Sequence, residues 1–234
     1  MILGDKVLIV EDEKSIAEIL EIYLENENYE VHKCFSAEEA LKCIESIKFD
    51  LAILDVMLPM RDGFYLCKKV REKYSYPIIM LTAKNDETSK ITGLTFGADD
   101  YITKPFLPLE LVARVKAQLR RYKKYNFSDK EDVDSYILTS SGLELNVKTR
   151  ECHLNGNSLS LTPSEFNILR ILLESKGQVV SSEELFRLVW NDEYYSKNNN
   201  TITVHIRHLR EKLGDKSENT KYIKTVWGVG YKIV

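Results

Sequence analysis

Little cysteine and the lack of any long apolar run set the first limits on this protein. The four cysteines, Cys34, Cys43, Cys67 and Cys152, are widely spaced and form no metal-ligand pattern, so we interpret them as reduced core residues rather than disulfide or zinc partners. No apolar stretch approaches the ~20 residues needed to span a bilayer, and no signal-peptide pattern precedes the first strand. We therefore expect a cytoplasmic protein without membrane insertion.

Length and charge predict two domains of opposite sign. A chain of 234 residues fits two ordinary domains better than one, and 44% hydrophobic residues suffice for two cores. The net charge of -3 is unevenly distributed: the part up to Leu138 has 20 lysines and arginines against 25 acids, and the remainder has 13 against 11. The acidic part suits a metal and phosphate site, and the mildly basic part permits a polyanion partner.

Short aliphatic runs alternate with helix-period segments over residues 1–122. The predicted strands are Lys6–Val10, Tyr29–Lys33, Leu51–Leu54, Ile78–Thr82 and Asp100–Thr103. The helix-period segments include Ser15–Glu25, Ala37–Ile47 and Leu109–Arg121. This alternation predicts an α/β domain whose parallel sheet has the flavodoxin-like order 2-1-3-4-5.

Acidic side chains and one lysine stand at the ends of separate predicted strands. Glu11 and Asp12 close the first strand, Asp55 closes the third, and Lys104 follows the fifth. Because parallel sheets bind ligands beyond the carboxyl ends of their strands, we expect these side chains to meet. Neighbouring carboxylates need neutralisation, which a hard divalent cation such as Mg2+ provides through oxygen ligands. Asp55 could then accept a phosphoryl group.

The strand ends carry an ordered motif, which consists of Glu11-Asp12, Asp55, Thr82, Tyr101 and Lys104-Pro105. In order and spacing this motif resembles the receiver domain of two-component response regulators, and the match spans the whole first domain. The resemblance implies that a phosphohistidine on a sensor histidine kinase phosphorylates Asp55. It implies Mg2+ ligands at Glu11, Asp12, Asp55 and the Met57 carbonyl, and a phosphoryl-contact and switch set of Thr82, Ala83, Tyr101, Lys104 and Pro105. In that switch Thr82 donates to a phosphoryl oxygen, Tyr101 rotates inward, and the Lys104-Pro105 peptide is cis.

Each of these residues also has an ordinary structural explanation. Asp12 could cap a helix, Thr82 could be a plain strand-end hydroxyl, and Tyr101 could be a half-buried aromatic. An aspartate nucleophile also occurs in aspartyl phosphatases, but Met57 stands where those enzymes have a second aspartate. A phosphorylation-independent DNA-binding scaffold is another alternative. The complete set of acids, threonine and lysine favours a phosphorylation-controlled regulator that is not an enzyme.

A dimer face is implied by a further resemblance to the OmpR/PhoB subfamily, in the segments Ser89–Asp100 and Leu109–Arg121. The implied pairs across a twofold axis are Lys90 with Glu110, Asp100 with Arg114 and Asp99 with Arg121, around an apolar patch of Ile91, Leu94 and Ala113. Exposed ion pairs contribute only ~0–1 kcal/mol each, so we expect a weak homodimer until phosphorylation favours it. The alternative is a solvated helix face.

Residues 123–135 have few apolar anchors and no periodicity, which predicts a flexible linker between a receiver domain at 1–122 and a second domain at 136–234. In the second domain, short strands and the Asn155-Gly156-Asn157 turn precede three predicted helices. These helices are Pro163–Ser175, Ser182–Trp190 and Thr201–Leu213, followed by a hairpin over Tyr222–Val234. This plan resembles the winged helix-turn-helix DNA-binding domain of OmpR/PhoB regulators.

The recognition helix is expected at Thr201–Leu213. Its predicted core positions, at helical spacing, are Ile202, Ile206, Leu209 and Leu213. The candidate DNA contacts are Asn200, Thr201, Thr203, His205, Arg207, His208, Arg210, Thr225, Trp227 and Tyr231. His208 and Trp227 stand where many relatives have arginine, and Trp227 either packs against sugar or anchors the wing to its own core. His205 and His208 form no metal site, because they lack a third ligand.

At a finer level, the stretches Ala113–Lys124, Asn200–Lys212 and Trp227–Tyr231 look like VanR regulators of vancomycin resistance. This resemblance implies a membrane kinase of the VanS type as phosphodonor and activation of cell-wall remodelling genes. The subfamily resemblance implies binding of direct-repeat promoter DNA and a contact between RNA polymerase and the loop Trp190–Asn200.

Overall fold

The protein is described by a computed structural model for residues 4–83, 97–124, 136–190, 199–215 and 220–234. The chain divides into two compact units, residues 1–122 and 123–234. Each unit has hydrophobic clusters of its own. Among the described residues, no helix is both long enough and apolar enough to cross a membrane.

A five-stranded parallel sheet forms the centre of the first unit. Its strands are β1 (Lys6–Val10), β2 (Glu30–Cys34), β3 (Leu51–Asp55), β4 (Ile78–Ala83) and β5 (Asp100–Lys104). The described helices of this unit are α1 (Lys14–Glu25), α2 (Ala37–Ser46), α3 (Gly63–Arg71) and α4 (Pro108–Lys124). The strand order β2-β1-β3-β4-β5 confirms the predicted flavodoxin-like fold.

Alternation along the strands divides the core of this unit between the two faces of the sheet. In β1, Leu8 and Val10 join a cluster with side chains of α2 and α3, whereas Val7 and Ile9 join a cluster with side chains of α1 and α4. Because both faces are covered, β3 is buried along its whole length. The polar site must therefore form at the strand ends.

The second unit begins with an antiparallel sheet of β6 (Ile137–Ser140), β7 (Leu143–Asn146), β8 (Cys152–Leu154) and β9 (Asn157–Ser158). Its helices are α5 (Pro163–Glu174), α6 (Ser182–Trp190) and α7 (Asn199–Leu213). Three further strands, β10 (Val180–Ser181), β11 (Ile223–Val226) and β12 (Gly230–Ile233), form a sheet in the order β10-β12-β11. This arrangement confirms the predicted winged helix-turn-helix plan.

Helix starts follow the capping signals in the sequence. Ser36 accepts a hydrogen bond from the Glu39 N–H at the start of α2. At the start of α5, Thr162 and Glu165 form a reciprocal capping box, in which each side chain accepts from the other residue's N–H. Such caps satisfy helix N–H groups that have no carbonyl partner within the helix.

Some predicted features differ or lie outside the described residues. Helix α4 continues through Lys124, two residues into the predicted linker, because nothing in Tyr122-Lys123-Lys124 breaks a helix. The rest of that linker, residues 125–135, is outside the described part of the chain. So are Lys90, Ile91 and Leu94 of the predicted dimer face and residues 191–198 of the predicted polymerase loop.

Candidate functional site

Strand register brings the predicted acids to the carboxyl edge of the parallel sheet. Asp55 is the last residue of β3 and is in register with Leu81 of β4, and Glu11 directly follows β1. Gly63, the first residue of α3, donates its N–H to the Val56 carbonyl at 3.0 Å. A Cβ on Gly63 would lie 1.9 Å from the Asp55 carbonyl oxygen, so this close approach requires glycine.

Three carboxylates and one ammonium group form the centre of the site. Ligand oxygens of Glu11, Asp12 and Asp55 all lie within 4.8 Å of one another. Glu11 and Asp55 are buried, whereas Asp12 is exposed. Lys104 Nζ donates to Glu11 Oε2 at 2.7 Å and to Asp55 Oδ2 at 2.8 Å. The expected meeting of these strand ends is therefore observed.

The site holds more negative charge than its burial favours. Burial raises the pKa of the Glu11 carboxyl to about 7, against the lowering effect of its hydrogen bond from Lys104. Burial alone would lower the pKa of Lys104, but its hydrogen bonds to Asp55 and Glu11 outweigh that effect and raise it. A cation on the carboxylate oxygens would relieve the excess charge. The all-oxygen donor set fits Mg2+, which prefers such ligands.

Thr82 places a buried hydroxyl at the same edge. It follows Leu81, the register partner of Asp55, and its Oγ1 has no hydrogen-bond partner within the part of the chain that the structure describes. A buried hydroxyl of this kind costs ~1–3 kcal/mol, so it favours a ligand oxygen that can accept from it.

The remaining predicted residues of this site lie in or just after strands β3, β4 and β5. Met57 donates its N–H to Asp55 Oδ1 at 3.2 Å. Ala83, at the end of β4, is in register with Lys104. Tyr101 in β5 is half-buried against the cluster shared with α2 and α3. The Lys104-Pro105 peptide is cis, as predicted.

Three residues of the predicted dimer face, Asp100, Glu110 and Arg114, are paired within the chain. Arg114 Nη1 lies 3.3 Å from Asp100 Oδ2, and Arg114 Nη2 lies 3.1 Å from Glu110 Oε1. Burial raises the pKa of Asp100, and the Arg114 charge opposes that effect. Ala113 is exposed and Arg121 is half-buried. The predicted Asp100–Arg114 pair thus already exists inside one subunit.

The position of Asp99 contradicts its predicted role. Its fully buried carboxylate accepts from Arg71 Nη2 at 2.6 Å and from the Ile78 N–H at 3.0 Å. Arg71 also donates to three backbone carbonyls, at 2.7, 2.8 and 3.4 Å. The prediction that Asp99 pairs with Arg121 across an interface is wrong, because this carboxylate is held in the core. Sequence reasoning missed Arg71, since its helical pattern does not distinguish this arginine from the neighbouring surface lysines.

Helix α7 buries more of its predicted DNA contacts than expected. The predicted core positions are confirmed as buried at Ile202, Ile206, Leu209 and Leu213. Thr201 and His205 are buried as well, and the His205 ring lies 5.6 Å from the ring of Trp190. The prediction that Thr201 and His205 face DNA is wrong, because Trp190 of α6 packs on that side of the helix. Tyr231 is also buried, with its hydroxyl 3.4 Å from Thr203 Oγ1.

Thr203 and Arg207 remain on the exposed side of α7. The Arg207 side chain is 74% exposed and its Nε lies 3.0 Å from Glu211 Oε1. His208 is half-buried, with Nδ1 3.9 Å from Glu165 Oε1, and burial lowers its pKa. The side chain of Asn200 lies outside the described part of the chain.

The wing, defined as β11, β12 and their connecting turn, is tied to α7. Arg210 Nη2 donates to the Ile223 carbonyl and to Thr225 Oγ1, each at 2.8 Å. Arg210 and Thr225 are therefore engaged with each other instead of being presented to DNA. Trp227 lies at the wing turn and is 90% exposed, so its interpretation as a core anchor is wrong.

Lys212 provides a second anchor for α7 that sequence reasoning missed. Its Nζ donates to Glu165 Oε2 at 2.6 Å and to the Ser160 carbonyl at 2.9 Å. The Thr162-to-Glu165 spacing signals a helix cap. It carries no signal for the lysine, which arrives from a helix 47 residues later in the sequence.

Comparisons with known proteins agree with both units. Residues 7–116 match the family described as "Response regulator receiver domain", and residues 156–233 match "Transcriptional regulatory protein, C terminal". The chain is 64% identical to "Regulatory protein VanR" of Enterococcus faecium over 231 residues, which cover 99% of each protein. It is 49% identical to "Regulatory protein VanRc" of Enterococcus gallinarum over 232 residues, again covering 99% of each.

Solved structures also match over the full chain. One is a mutant of RitR, with a TM-score of 0.78, 27% identity and 99% of each chain covered. Another is response regulator DrrB, a Thermotoga maritima OmpR/PhoB homolog, with a TM-score of 0.51, 31% identity and 99% of each chain covered.

Proposed function

This chain belongs to the VanR-like two-component response regulators of the OmpR/PhoB type, and we propose that phosphorylation of Asp55 controls its binding to promoter DNA. The observation that carries the proposal is the contact of Lys104 with the buried carboxylates of Asp55 and Glu11, at the sheet edge where β4 also ends with Thr82 and Ala83. Such a cluster suits the acceptance of a phosphoryl group, and the second unit supplies the DNA-binding module. The named relatives are regulatory proteins rather than enzymes.

In the proposed transfer, an Asp55 carboxylate oxygen attacks the phosphorus of a phosphohistidine on a sensor kinase of the VanS type. The O–P bond forms as the P–N bond breaks, and the imidazole leaves with the bonding electron pair. Lys104, already 2.8 Å from Asp55 Oδ2, stabilises the charge that spreads over the phosphoryl oxygens. Glu11, Asp12, Asp55 and the Met57 carbonyl would hold Mg2+, which when bound supplies further neutralisation of that charge.

Thr82 and Tyr101 would convert the new phosphoryl group into a change of packing. The buried Thr82 hydroxyl would donate to a phosphoryl oxygen, which gives it the partner that a buried hydroxyl needs. Movement at Thr82 and Ala83 reaches β5 directly, because these residues are in register with Thr103 and Lys104. Tyr101, half-buried in the same strand, would then turn inward, while Pro105 holds the loop after Lys104.

The proposed output is a homodimer on direct-repeat promoter DNA. Asp100 and Arg114 would exchange their pairing within one subunit for pairing across a twofold axis, beside Lys90 with Glu110. An apolar patch of Ile91, Leu94 and Ala113 would supply affinity. Arg121 would contribute without Asp99. The dimer stays weak until phosphorylation, because ion pairs of this kind contribute only ~0–1 kcal/mol each.

Promoter recognition would come from the exposed side of α7, where Thr203 and Arg207 face solvent. Arginine there can bind guanine bidentately or hold a phosphate. We place the protein in the cytoplasm, where it activates vancomycin-resistance genes for cell-wall remodelling with the loop Trp190–Asn200 against RNA polymerase.

The proposal is tested by light scattering and DNA binding with and without Mg2+ and beryllofluoride, which mimics a phosphoryl group on aspartate. The wild type should change from monomer to dimer and bind direct-repeat promoter DNA more tightly. Asp55→Asn should do neither, while keeping its basal DNA affinity. Equal binding by both proteins in all conditions would instead support a phosphorylation-independent scaffold. Sustained turnover of p-nitrophenyl phosphate that depends on Asp55 would indicate an aspartate-nucleophile phosphatase.

A further inference from the structure

The loop of residues 57–62 connects β3, which ends in Asp55, to helix α3. It is closed at its base, because the Gly63 N–H donates to the Val56 carbonyl at 3.0 Å. Met57, the first residue of the loop, donates its N–H to Asp55 Oδ1 at 3.2 Å and carries the carbonyl that we propose as a cation ligand. The path of this loop therefore decides where that carbonyl lies relative to the carboxylates.

The loop contains a strained turn at Met60. The Arg61 N–H donates to the Pro59 carbonyl at 2.8 Å, so Met60 is the central residue of a three-residue turn. Its φ of +66° lies in the left-handed region, which is unfavourable for a residue with a Cβ. Such strain persists only where the surrounding structure holds it in place. The Met60 side chain is 95% exposed, so its own packing does not hold the turn.

The next side chain, Arg61, contacts two neighbouring helices. Its Nε lies 3.3 Å from Oε1 of Glu38, which is in the first turn of α2. On the other side, the guanidinium lies 4.7 Å from the centre of the Tyr65 ring in α3 and donates to the Tyr65 hydroxyl. Asp62 fixes the start of α3, since its Oδ1 accepts from the Tyr65 N–H at 2.8 Å. Arg61 thus bridges α2 and α3 directly after the strained residue.

We propose that Arg61 is a positioning residue for the cation: its bridge between Glu38 and Tyr65 keeps the strained turn in place and so holds the Met57 carbonyl beside the carboxylates. This inference rests on the proposed Mg2+ site. Arg61 is not a ligand itself, because a guanidinium has no acceptor atom. The Arg61 and Glu38 side chains are 50% and 40% exposed, so their pair adds little to the stability of the fold. Its loss should therefore lower cation affinity more than stability.

Titration of the full chain with Mn2+ tests the inference, because carboxylate and carbonyl oxygens suit Mn2+ as they suit Mg2+. Free Mn2+ is measured by its electron paramagnetic resonance signal. Arg61→Ala should bind Mn2+ about 5-fold more weakly than the wild type, as expected for loss of partly exposed contacts. Its melting temperature in EDTA should stay close to that of the wild type. Arg61→Lys keeps the charge near Glu38 but loses the planar contact with Tyr65, so its loss of affinity should be smaller.

A second substitution tests the role of strain. Met60→Gly removes the cost of the positive φ, so the turn should no longer depend on Arg61. Arg61→Ala should therefore weaken Mn2+ binding less when it is made in the Met60→Gly protein than when it is made in the wild type. Lys69→Ala is the matched control, because it breaks an exposed pair with Glu72 on a later turn of α3. That variant should bind Mn2+ as the wild type does.

The outcomes distinguish this inference from the proposed function. Equal Mn2+ affinity of Arg61→Ala and the wild type, or an equal loss in Lys69→Ala, overturns the positioning role and leaves the proposed cation site intact. An equal loss from Arg61→Ala with and without Met60→Gly also overturns it, because Arg61 then does not act by holding the strained turn. A wild type that binds no Mn2+ sinks both the inference and the proposed site.

Discussion

The first unit buries charged groups that are paired in its interior, whereas the second unit has a charged side chain that is exposed on helix α7. In the first unit, Glu11 and Asp99 are fully buried and are held by Lys104 and Arg71. In the second, the Arg207 side chain faces solvent and takes little part in packing. Removal of one partner from a buried ion pair costs several kcal/mol, whereas exposed pairs contribute little. The first unit should therefore be sensitive to any change of charge at these buried pairs, whereas the exposed side of α7 should tolerate such a change.

The largest effect should follow from breaking a buried pair in the first unit. Arg71→Met leaves the Asp99 carboxylate buried without its cation, so we expect the free energy of unfolding to fall by about 3–5 kcal/mol in urea denaturation. Lys69→Met is the matched control on the same helix, because Lys69 pairs with Glu72 at 2.8 Å on the surface. That variant should unfold at nearly the same urea concentration as the wild type, because this pair is open to solvent. Equal losses in the two variants would remove the distinction between buried and exposed charge.

The second effect depends on pH and concerns Glu11. Its folded pKa of about 7 lies above the ordinary value of 4.5, so the wild type loses stability as pH rises from 4.5 through 7. Glu11→Gln cannot lose a proton and should be more stable above pH 7, by at most about 3 kcal/mol for a shift of this size. The difference should vanish below pH ~4.5, where both side chains are neutral.

Thermal unfolding in EDTA at several pH values measures this difference. Added Mg2+ should stabilise the wild type at pH 8 by mass action and should stabilise Glu11→Gln less, since a carboxylate ligand is lost. A variant that is less stable than the wild type at pH 8 in EDTA would show that the Glu11–Lys104 contact outweighs the burial of charge.

The two regions also differ in how much the sequence could predict. Glu11, Asp55 and Lys104 could be placed together because each ends a strand, and the carboxyl ends of parallel strands meet at one edge whatever the side chains do. The hydrophobic pattern predicted where the strands run, and the geometry of a parallel sheet then predicted that these three side chains lie close together. Asp99 was misplaced because its partner Arg71 lies at the end of helix α3, 28 residues away in the sequence.

The exposed side of α7 was harder to predict for a related reason. Helical periodicity identified the buried stripe through Ile202 and Leu209, but it did not show which flank a neighbouring helix covers. Trp190 buries His205 on one flank, and the wing engages Arg210 on the other. A helix periodicity therefore defines a core stripe, and tertiary packing decides how much of the remaining surface stays open.

A smaller effect on stability is expected for substitution of Arg210, which is half-buried. Arg210→Met removes its donors from the Ile223 carbonyl, so we expect a loss of about 1–3 kcal/mol in the free energy of unfolding. DNA affinity should also fall, because the wing is less well fixed. The slope of log affinity against log salt concentration should stay unchanged. A slope reduced by about 1 would show instead that Arg210 leaves the wing and binds a phosphate.

The smallest effect on folding should come from Arg207, whose side chain is mostly exposed to solvent. Arg207→Ala removes only an exposed i,i+4 contact with Glu211, which contributes about 0.3–0.5 kcal/mol. Its effect on promoter binding should nevertheless be clear in a salt titration, because a lost phosphate contact lowers the magnitude of the slope by about 1. Glu211→Ala is the control, since it breaks the same surface pair and leaves the arginine available. If both variants bind DNA as the wild type does at every salt concentration, Arg207 is surface charge without a role in recognition, and its proposed DNA contact is wrong.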